Sequence, residues 1–356
     1  MYALLLLVAC GPADLRVGGP DPAAEPPPAP AAAEPPDAVV DCAGAADFAS
    51  IGEAVAAAES GDTIHVRPCT YAEDVDFRGK TLVIASTEGS ADTVIEGVDG
   101  AVVRAVSGEG PGTTLRGFTL RGGGDGGEAA VYVDFSSLRV EESVLEESRA
   151  WVPVFGASAD LVLVDVTMER NASNQGIQVY MSRGSLVATG LSLRCDYGGT
   201  GVYLGHGSGM IDRSTIEACS ESVDWEHAVG HLQRSVVDGH VTVVSEDDHY
   251  DDYVNVVNSV LEDGISAQYG SLVVRNSVVG GRGLSLVDVY EATRIEGNVL
   301  TGVAGCAVSA NTADFTVRNN VFWRNGSDAC GALPAPVGAE GNLAADPLFN
   351  EEDSRD

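Results

Sequence analysis

The sequence predicts an all-β chain folded as a single-stranded, right-handed parallel β-helix of about 10–12 coils, with a capping α-helix at the N-terminal end. Three observations support this fold class. A short motif recurs about every 18 to 26 residues, six of the seven cysteines pair at about that spacing, and the Leu, Lys and Glu periods of helical solenoids are missing. The 43 glycines and the single lysine, Lys80, favour short strands and tight turns.

The recurring motif is clearest late in the chain, where Val256–Leu261, Val274–Val279 and Val317–Phe322 are copies of one pattern. Each copy has a small polar residue followed by two apolar residues. Coils of a parallel β-helix stack directly on one another, so we expect the small residues to form a ladder at one tight bend. The predicted ladder residues are Gly117, Ser143, Asp165, Gly190, Ser214, Ser235, Ser259, Ser277, Asn298 and Asn320.

The cysteine spacing predicts disulfides between neighbouring coils. Six cysteines remain if Cys10 carries a lipid, and an even number in an exported chain indicates disulfide bonding. Residues one coil apart lie about 4.8 Å from each other across a β-ladder, which is a separation that a disulfide accepts. The predicted pairs, each separated in sequence by about one repeat of the motif, are Cys42 with Cys69, Cys195 with Cys219 and Cys306 with Cys330.

Residues 50–61 predict the capping helix. Ser50 and Glu53 have the spacing of a capping box, and Gly61 supplies a stop signal. We expect this helix to cover the open end of the solenoid, because exposed edge strands invite aggregation.

Both ends of the body resemble a known family. The stretch from Phe48 to Glu73 resembles the N-terminal cap of the pectin-lyase-like β-helix superfamily, which includes pectin methylesterases. The segments Asn319–Trp323, Gly341–Leu343 and Asp346–Phe349 are similar to the closing coil of such repeat proteins. The resemblance covers residues 41 to 349 and implies a fold whose enzymes act on polysaccharides along an outer groove. The catalytic motifs of pectin methylesterases and polygalacturonases are not complete in this chain.

The N-terminal residues predict export. Residues 1–10 contain an apolar run from Leu4 to Val8 that is followed by Ala9 and Cys10, and they resemble the lipobox of a bacterial lipoprotein signal. The resemblance implies lipidation of Cys10 and a lipid-anchored, extracytoplasmic protein at the outer membrane or cell surface. Residues 11–40 are rich in Pro and Ala and predict a disordered tether, residues 41–349 the β-helix, and residues 350–356 a tail.

Ionisable and aromatic residues concentrate in the middle of the body. The pairs Asp224 and Asp248, His227 and Asp251, and Arg183 and His206 are each separated by about one repeat, which predicts that each pair stacks on adjacent coils. Paired carboxylates suit acid/base chemistry, and clustered Asp oxygens suit Ca²⁺. The candidate residues are Asp224, His227, Asp247 and Asp248 for catalysis, Tyr180, Arg183, Tyr203 and His206 for substrate binding, and Asp247, Asp248, Asp251 and Asp252 for calcium.

The charge limits the choice of partner. A net charge of −33 repels nucleic acid and polyanionic glycans, which leaves neutral or cationic glycans. The sequence favours a monomeric, surface-anchored protein that binds polysaccharide or another envelope component without catalysis. We expect no required cofactor, and we expect the lipid to be the only contact with the membrane. Two alternatives stay open. One is a polysaccharide lyase or glycoside hydrolase that uses the acidic cluster, and the other is that the acidic loop is only a solvated surface.

Overall fold

A computed structural model describes residues 38–123, 129–246, 252–333 and 336–347. About half of these residues belong to short strands, which are joined by turns. In chain order the elements are β1 (Ala38–Val40), α1 (Ile51–Ala57), β2 (Thr63–Val66), β3 (Cys69–Ala72), β4 (Val75–Asp76), β5 (Val83–Ser86), β6 (Thr93–Glu96), β7 (Val103–Ala105), β8 (Thr114–Arg116), β9 (Thr119–Arg121), β10 (Val131–Asp134), β11 (Ser137–Glu141), β12 (Val144–Glu146), β13 (Val154–Ala157), β14 (Asp160–Val164), β15 (Thr167–Glu169), β16 (Ile177–Ser182), β17 (Ser185–Thr189), β18 (Ser192–Arg194), β19 (Thr200–Gly205), β20 (Ser208–Asp212), β21 (Thr215–Glu217), β22 (Glu221–Glu226), β23 (Val229–Gln233), β24 (Val236–Val237), β25 (His240–Val244), β26 (Tyr253–Val257), β27 (Val260–Leu261), β28 (Ile265–Gln268), β29 (Ser271–Arg275), β30 (Val278–Val279), β31 (Leu284–Val287), β32 (Arg294–Glu296), β33 (Val299–Thr301), β34 (Cys306–Ala310), β35 (Thr316–Arg318), β36 (Val321–Trp323), β37 (Ser327–Gly331) and β38 (Leu343–Ala344).

These strands form three parallel sheets. Sheet I contains β1, β2 and every third strand from β5 to β35; sheet II contains every third strand from β4 to β37; sheet III contains every third strand from β3 to β36, followed by β38. Neighbours within a sheet come from consecutive coils, so the predicted parallel β-helix is confirmed. The 13 strands of sheet I correspond to about 13 turns. The prediction of 10–12 was too low because the coils before Gly117 carry no marker residue.

The first strand begins earlier than the predicted boundary at residue 41. Ala38–Val40 forms β1 and pairs with β2, so these three residues belong to the solenoid rather than to the tether. Ala38 and Val40 are buried in the core, and this burial explains why the segment is ordered into a strand.

The core fills the inside of the solenoid with alternate side chains of each strand. Its largest fully buried side chain is Trp225, on β22. Gly230 on the next strand of sheet I makes room for this ring, because a Cβ atom at Gly230 would lie only 2.6 Å from ring atoms of Trp225. The indole therefore fixes β22, whose outward side carries the candidate Asp224, from the inside.

A buried ladder of Ser and Asn side chains follows the bend before sheet III. From Ser214 to Asn320, each backbone N–H at this position donates to the side-chain oxygen of the residue one coil later, at 2.9–3.3 Å, and Asn342 is the last acceptor. The ladder satisfies N–H groups that would otherwise be buried without a partner. It contains the predicted residues Ser143, Ser214, Ser235, Ser259, Ser277, Asn298 and Asn320.

Three predicted ladder residues belong to a different row. Gly117, Asp165 and Gly190 lie one position earlier, and Phe118, Val166 and Leu191 occupy the ladder positions instead. All three have positive φ (78°, 52° and 66°). That row needs a left-handed backbone, which Gly, Asn and Asp adopt most readily, so two neighbouring rows select similar residue types.

All three predicted disulfides are present. The Cα–Cα distances are 6.4 Å for Cys42–Cys69, 5.0 Å for Cys195–Cys219 and 5.8 Å for Cys306–Cys330. The assumed direct stacking is wrong for the last pair. The strand register places Cys306 opposite Ser327 and Cys330 opposite Ser309, so this bond crosses diagonally between two coils.

The predicted helix forms but ends at Ala57, before Gly61 is reached. Ser50 is its N-cap and accepts a hydrogen bond from the Glu53 N–H at 3.2 Å. The Glu73 carboxylate accepts two further N–H groups of the first turn, both at 2.8 Å. Lys80 Nζ donates to three carbonyl groups at the other end of the helix, at 2.7–3.0 Å. A seven-residue helix is too short to be stable alone, so these contacts with the first coil hold it in place.

Candidate functional site

A row of stacked aromatic rings follows the outer face of sheet II. Strand alternation points these side chains outward from four successive strands, and the register places each ring directly opposite the next. The centroid distances are 5.0 Å between Tyr132 and Phe155, 5.5 Å between Phe155 and Tyr180, and 4.9 Å between Tyr180 and Tyr203. The ring planes are within 14° of parallel. We call these four residues the aromatic ladder.

Two further side chains extend the aromatic ladder. Trp151 lies beside it, tilted at 48° to Phe155 and 49° to Tyr180 with centroid distances of 5.9 and 6.1 Å, and 38% of its surface is exposed. The Arg104 guanidinium lies 5.8 Å from the Tyr132 ring centroid at the N-terminal end of the row. The row therefore begins at a cation and presents an exposed indole along its side.

The aromatic ladder stops at Asp224, which is the register partner of Tyr203. In the four coils beyond Asp224 the same outward row contains short hydroxyl side chains, and Cys330 follows them. The hydroxyl residues, in successive coils, are Thr242, Ser266, Ser285 and Ser309. Because aromatic side chains are much longer than Ser or Thr, the outer face of sheet II steps down at Asp224.

Asp224 lies in a region of negative charge. It is half-buried, and two other carboxylates of the same strand, Glu221 and Glu226, flank it. Burial, together with repulsion from Glu221 and Glu226, raises the pKa of Asp224 to about 7. Asp224 therefore binds a proton in a pH range where an ordinary aspartate is fully ionised.

Glu226 also connects to the end of the aromatic ladder. The Tyr203 hydroxyl donates a hydrogen bond to Glu226 Oε2. Burial and this bond to a carboxylate raise the pKa of Tyr203 above its usual range. The phenol therefore stays protonated and acts as a hydrogen-bond donor.

Arg183, His206 and His227 form a second row at the ends of three successive strands of sheet II. Each has positive φ, and the backbone N–H of Arg183 and of His206 donates to the adjacent coil. The rings of His206 and His227 stack with their centroids 4.9 Å apart. His227 Nε2 lies 4.0 Å from Glu226 and 3.8 Å from Glu246. The predicted stacking of Arg183 and His206 is confirmed.

Six of the predicted site residues therefore lie together on the outer face of sheet II. They are Tyr180, Arg183, Tyr203, His206, Asp224 and His227. Four of them form two ring stacks, Tyr180 with Tyr203 and His206 with His227.

The predicted stacking of Asp224 on Asp248 is wrong. Asp224 is opposite Thr242, which comes earlier in the chain than Asp248, and His227 donates its backbone N–H to Val244 rather than aligning with Asp251. The coil is therefore shorter than the average repeat, and a register shift between Glu221 and Val223 accompanies it. A single average repeat length could not predict the change.

The acidic loop is described only at its edges. Asp247, Asp248 and Asp251 lie outside the described residues, and Asp252 accepts a hydrogen bond from Ser245 Oγ at 2.6 Å. Within the described part of the chain, no group of three or more His, Cys, Asp or Glu side chains is arranged to hold a metal ion. The calcium site stays a prediction.

The sequence analysis missed half of the aromatic ladder, although the signal was present. Tyr132, Phe155, Tyr180 and Tyr203 recur at the coil spacing, and each follows a valine in a strand. An aromatic residue that recurs in this way predicts a stack on one face. Glu221 and Trp151 carry no such signal, because only the folded coil brings them beside the row.

Comparison with solved structures supports the fold. The complex of XylC with xylose has a TM-score of 0.54 at 9% sequence identity, covering 87% of this chain and 86% of XylC. Pectin methylesterase from carrot (13% identity, TM-score 0.30, 89% and 91% covered) and the A-module of the Azotobacter vinelandii mannuronan C-5 epimerase AlgE6 (16%, 0.35, 83% and 93%) are also similar. No protein-family model and no curated protein matches the chain.

These findings define the class of protein. The chain is a right-handed parallel β-helix, a solenoid whose outer face carries a row of aromatic and acidic side chains. Its fold is the parallel β-helix that the sequence predicts, and XylC shares this architecture over most of both chains. In the described ranges, no helix is both long enough and apolar enough to cross a bilayer.

Proposed function

We propose that this protein is an extracytoplasmic, lipid-anchored β-helix that binds polysaccharide, without catalysis, along the outer face of sheet II. The observation that carries the proposal is the aromatic ladder with the exposed Trp151 beside it. The four ladder rings are half-buried, and contiguous apolar patches on the outer face of a soluble protein are uncommon unless they contact a partner. The solved complex of XylC with xylose gives this proposal further support.

The geometry of the aromatic ladder suits a linear glycan. Coils repeat about every 4.8 Å, which is close to the length of one sugar unit in an extended chain. Each coil presents a ring edge or a hydroxyl group, and the Trp151 indole is tilted so that a sugar can contact its exposed surface. A bound chain would therefore meet similar apolar and hydrogen-bonding groups at each unit.

The N-terminal segment supports the proposed location. Lipid on Cys10 would anchor the chain, and an extended Pro-rich tether would reach about 3 Å per residue from the membrane. Replacing Cys10 with Ser should release the protein from the membrane fraction and abolish labelling by a radioactive fatty acid. If the Cys10→Ser protein stays membrane-bound and labelled, the anchor is elsewhere.

A glycan array tests the proposed binding. Wild type should bind a subset of neutral or cationic glycans, and Trp151→Ala should weaken that binding by about tenfold, or roughly 1.4 kcal/mol. Tyr253→Ala is the matched control, because Tyr253 is equally exposed, at 38%, but lies on sheet I. Equal losses in both variants, or no binding by wild type, would exclude the ladder as the contact surface.

One observation favours a second candidate, a carbohydrate-active enzyme such as a polysaccharide lyase or glycoside hydrolase. Asp224, with its pKa raised to about 7, could act as a general acid, and Glu226 and His227 lie close by. A reducing-end assay on the glycans that bind decides between the two. Turnover that disappears in Asp224→Asn while binding persists would establish the enzyme, and absence of turnover in wild type would favour pure binding.

A further inference from the structure

Aromatic and acidic side chains meet where the aromatic ladder ends. The ring of Tyr203 stacks on Tyr180 in the preceding coil. In the following coil, the register partner of Tyr203 is Asp224. Resting on the proposed glycan binding, we propose that this ladder end, formed by Tyr203, Glu221, Asp224, Glu226 and Thr242, binds the ammonium group of an amino sugar. The glycan class inferred is therefore a cationic, glucosamine-like polymer.

The Tyr203 ring at the ladder end favours the binding of a cation. The π face of a tyrosine ring carries negative electrostatic potential, and a cation close to it is stabilised by about 0.5–2 kcal/mol. The hydrogen bond from the Tyr203 hydroxyl to Glu226 holds the ring in place. Its electron density is further raised by donation to a carboxylate, which strengthens the attraction for a positive charge.

Arginine and lysine do not compensate the charge of the ladder end within the described residues. No arginine or lysine there lies within 4 Å of the carboxylates of Asp224 or Glu221, and the nearest basic contact of Glu226 is His227 at 4.0 Å. Glu221 accepts a hydrogen bond from the Thr242 hydroxyl, which orients it but adds no charge. The exposed Arg183 lies two coils away, on the coil of Tyr180. A ligand cation would lower the free energy of holding three carboxylates together.

The remaining part of the face distinguishes an amino sugar from a bare cation. Beyond Asp224 the row of Thr242, Ser266, Ser285 and Ser309 forms a lower floor of hydroxyl groups. Such a floor offers hydrogen bonds to sugar hydroxyls, and it lies lower than the Tyr203 ring beside it. The net charge of −33 further attracts a polycation and disfavours uronate polymers.

Calorimetry on the full chain tests this with three β-1,4 oligosaccharides of equal length, made of glucosamine, N-acetylglucosamine or glucose. We expect the glucosamine oligomer to bind at least about tenfold more tightly than the other two, and this preference to shrink as salt rises from about 50 to 500 mM. Asp224→Asn should remove most of the preference. The matched control is Glu217→Gln, which removes a carboxylate of the same coil on sheet III. This variant should leave the preference for the glucosamine oligomer unchanged.

The outcomes separate the two proposals. If none of the three oligomers binds, the proposed function itself fails. If the neutral oligomers bind as tightly as the glucosamine oligomer, or Asp224→Asn keeps the preference, glycan binding stands and the ammonium site is wrong. A tetralysine peptide that binds as tightly as the glucosamine oligomer would also overturn the inference, because the site would then recognise charge without the sugar. Matching thermal melts of the variants ensure that lost binding is not lost folding.

Discussion

The most informative single residue is Asp224, because the fold places a carboxyl group where it is costly to ionise. Its neighbours Glu221 and Glu226 repel its negative charge, and burial removes part of its hydration. The side chain of Trp225, on the opposite side of the strand, is anchored in the core and holds Asp224 in its place on the outer face. Because ionising Asp224 costs free energy in the folded state, its contribution to the free energy of unfolding should depend on pH.

We predict that Asp224→Asn stabilises the protein at high pH. The folded pKa of Asp224 is raised from 3.8 to about 7, so the folded state binds a proton that the unfolded state has already released. Stability from this group is therefore present below pH 4 and is lost as the pH rises towards 7. Asparagine cannot ionise, so the variant should gain about 1–2 kcal/mol over wild type at pH 8, after allowance for solvent screening, and almost nothing at pH 4.

Urea unfolding of both proteins at pH 4, 6 and 8 measures this difference. The matched control is Glu217→Gln, which removes an exposed carboxylate of the same coil and should show no such trend. A difference between Asp224→Asn and wild type that does not grow with pH would mean that Asp224 is ionised without penalty.

At this scale, residue types could be predicted from the sequence but their surroundings could not. Tyr180, Tyr203, Asp224 and His227 were identified from composition and spacing, and the fold brings them together. A register shift lies between Glu221 and Val223, beside the flanking carboxylate, and no repeat length predicts it. The irregularity lies at Ser222, whose buried hydroxyl accepts the Gly239 N–H at 2.9 Å, and this contact is not part of the repeated motif.

At the scale of elements, the Ser and Asn ladder determines how coils stack. Asn320 shows its role most clearly. Its Oδ1 accepts from the N–H and the Nδ2 of Asn298, at 2.9 and 3.1 Å, and its own Nδ2 donates to the Ile295 carbonyl at 2.8 Å. The residue is fully buried, so water cannot replace these bonds.

We predict that Asn320→Ala destabilises the solenoid by about 2–4 kcal/mol, because it leaves the Asn298 N–H and the Ile295 carbonyl buried without partners. Asn320→Ser should cost clearly less. Serine occupies the equivalent position at Ser277, where its hydroxyl accepts the Ser259 N–H at 3.2 Å. Chemical denaturation with circular dichroism would measure both free energies of unfolding. Equal losses for Ala and Ser would show that side-chain volume, and not the hydrogen bond, matters at this position.

The Ser and Asn ladder also explains which predictions about the strands and coils succeeded. The spacing of Ser and Asn residues predicted the stacking because a buried N–H must find a partner in every coil. The same reasoning misassigned Gly117, Asp165 and Gly190, since a left-handed backbone one position earlier selects similar residues. The disulfide connectivities were predictable from spacing alone, whereas the diagonal course of Cys306–Cys330 depends on the local register.

At the scale of the whole molecule, the dominant property is charge. The chain carries 53 acidic and 20 basic residues, giving a net charge of −33. Short ion pairs such as Arg234 with Asp212 and Arg121 with Glu146 neutralise only a part of the acidic surface. The solenoid places like charges at neighbouring coils on its outer faces, where they repel each other over distances of about one Debye length, roughly 10 Å at 0.1 M salt.

We predict that salt stabilises this protein at neutral pH. Surface ion pairs contribute only about 0–1 kcal/mol each, so weakening them should cost less than screening the repulsion gains. The melting temperature at pH 7.5 should therefore rise by several degrees between about 20 and 300 mM NaCl. The control is the same titration at pH 4.2, close to the isoelectric point, where the net repulsion vanishes and the rise should disappear or reverse. A melting temperature that falls with salt at pH 7.5 would mean that ion pairs between coils, and not self-repulsion, dominate the electrostatic free energy of the solenoid.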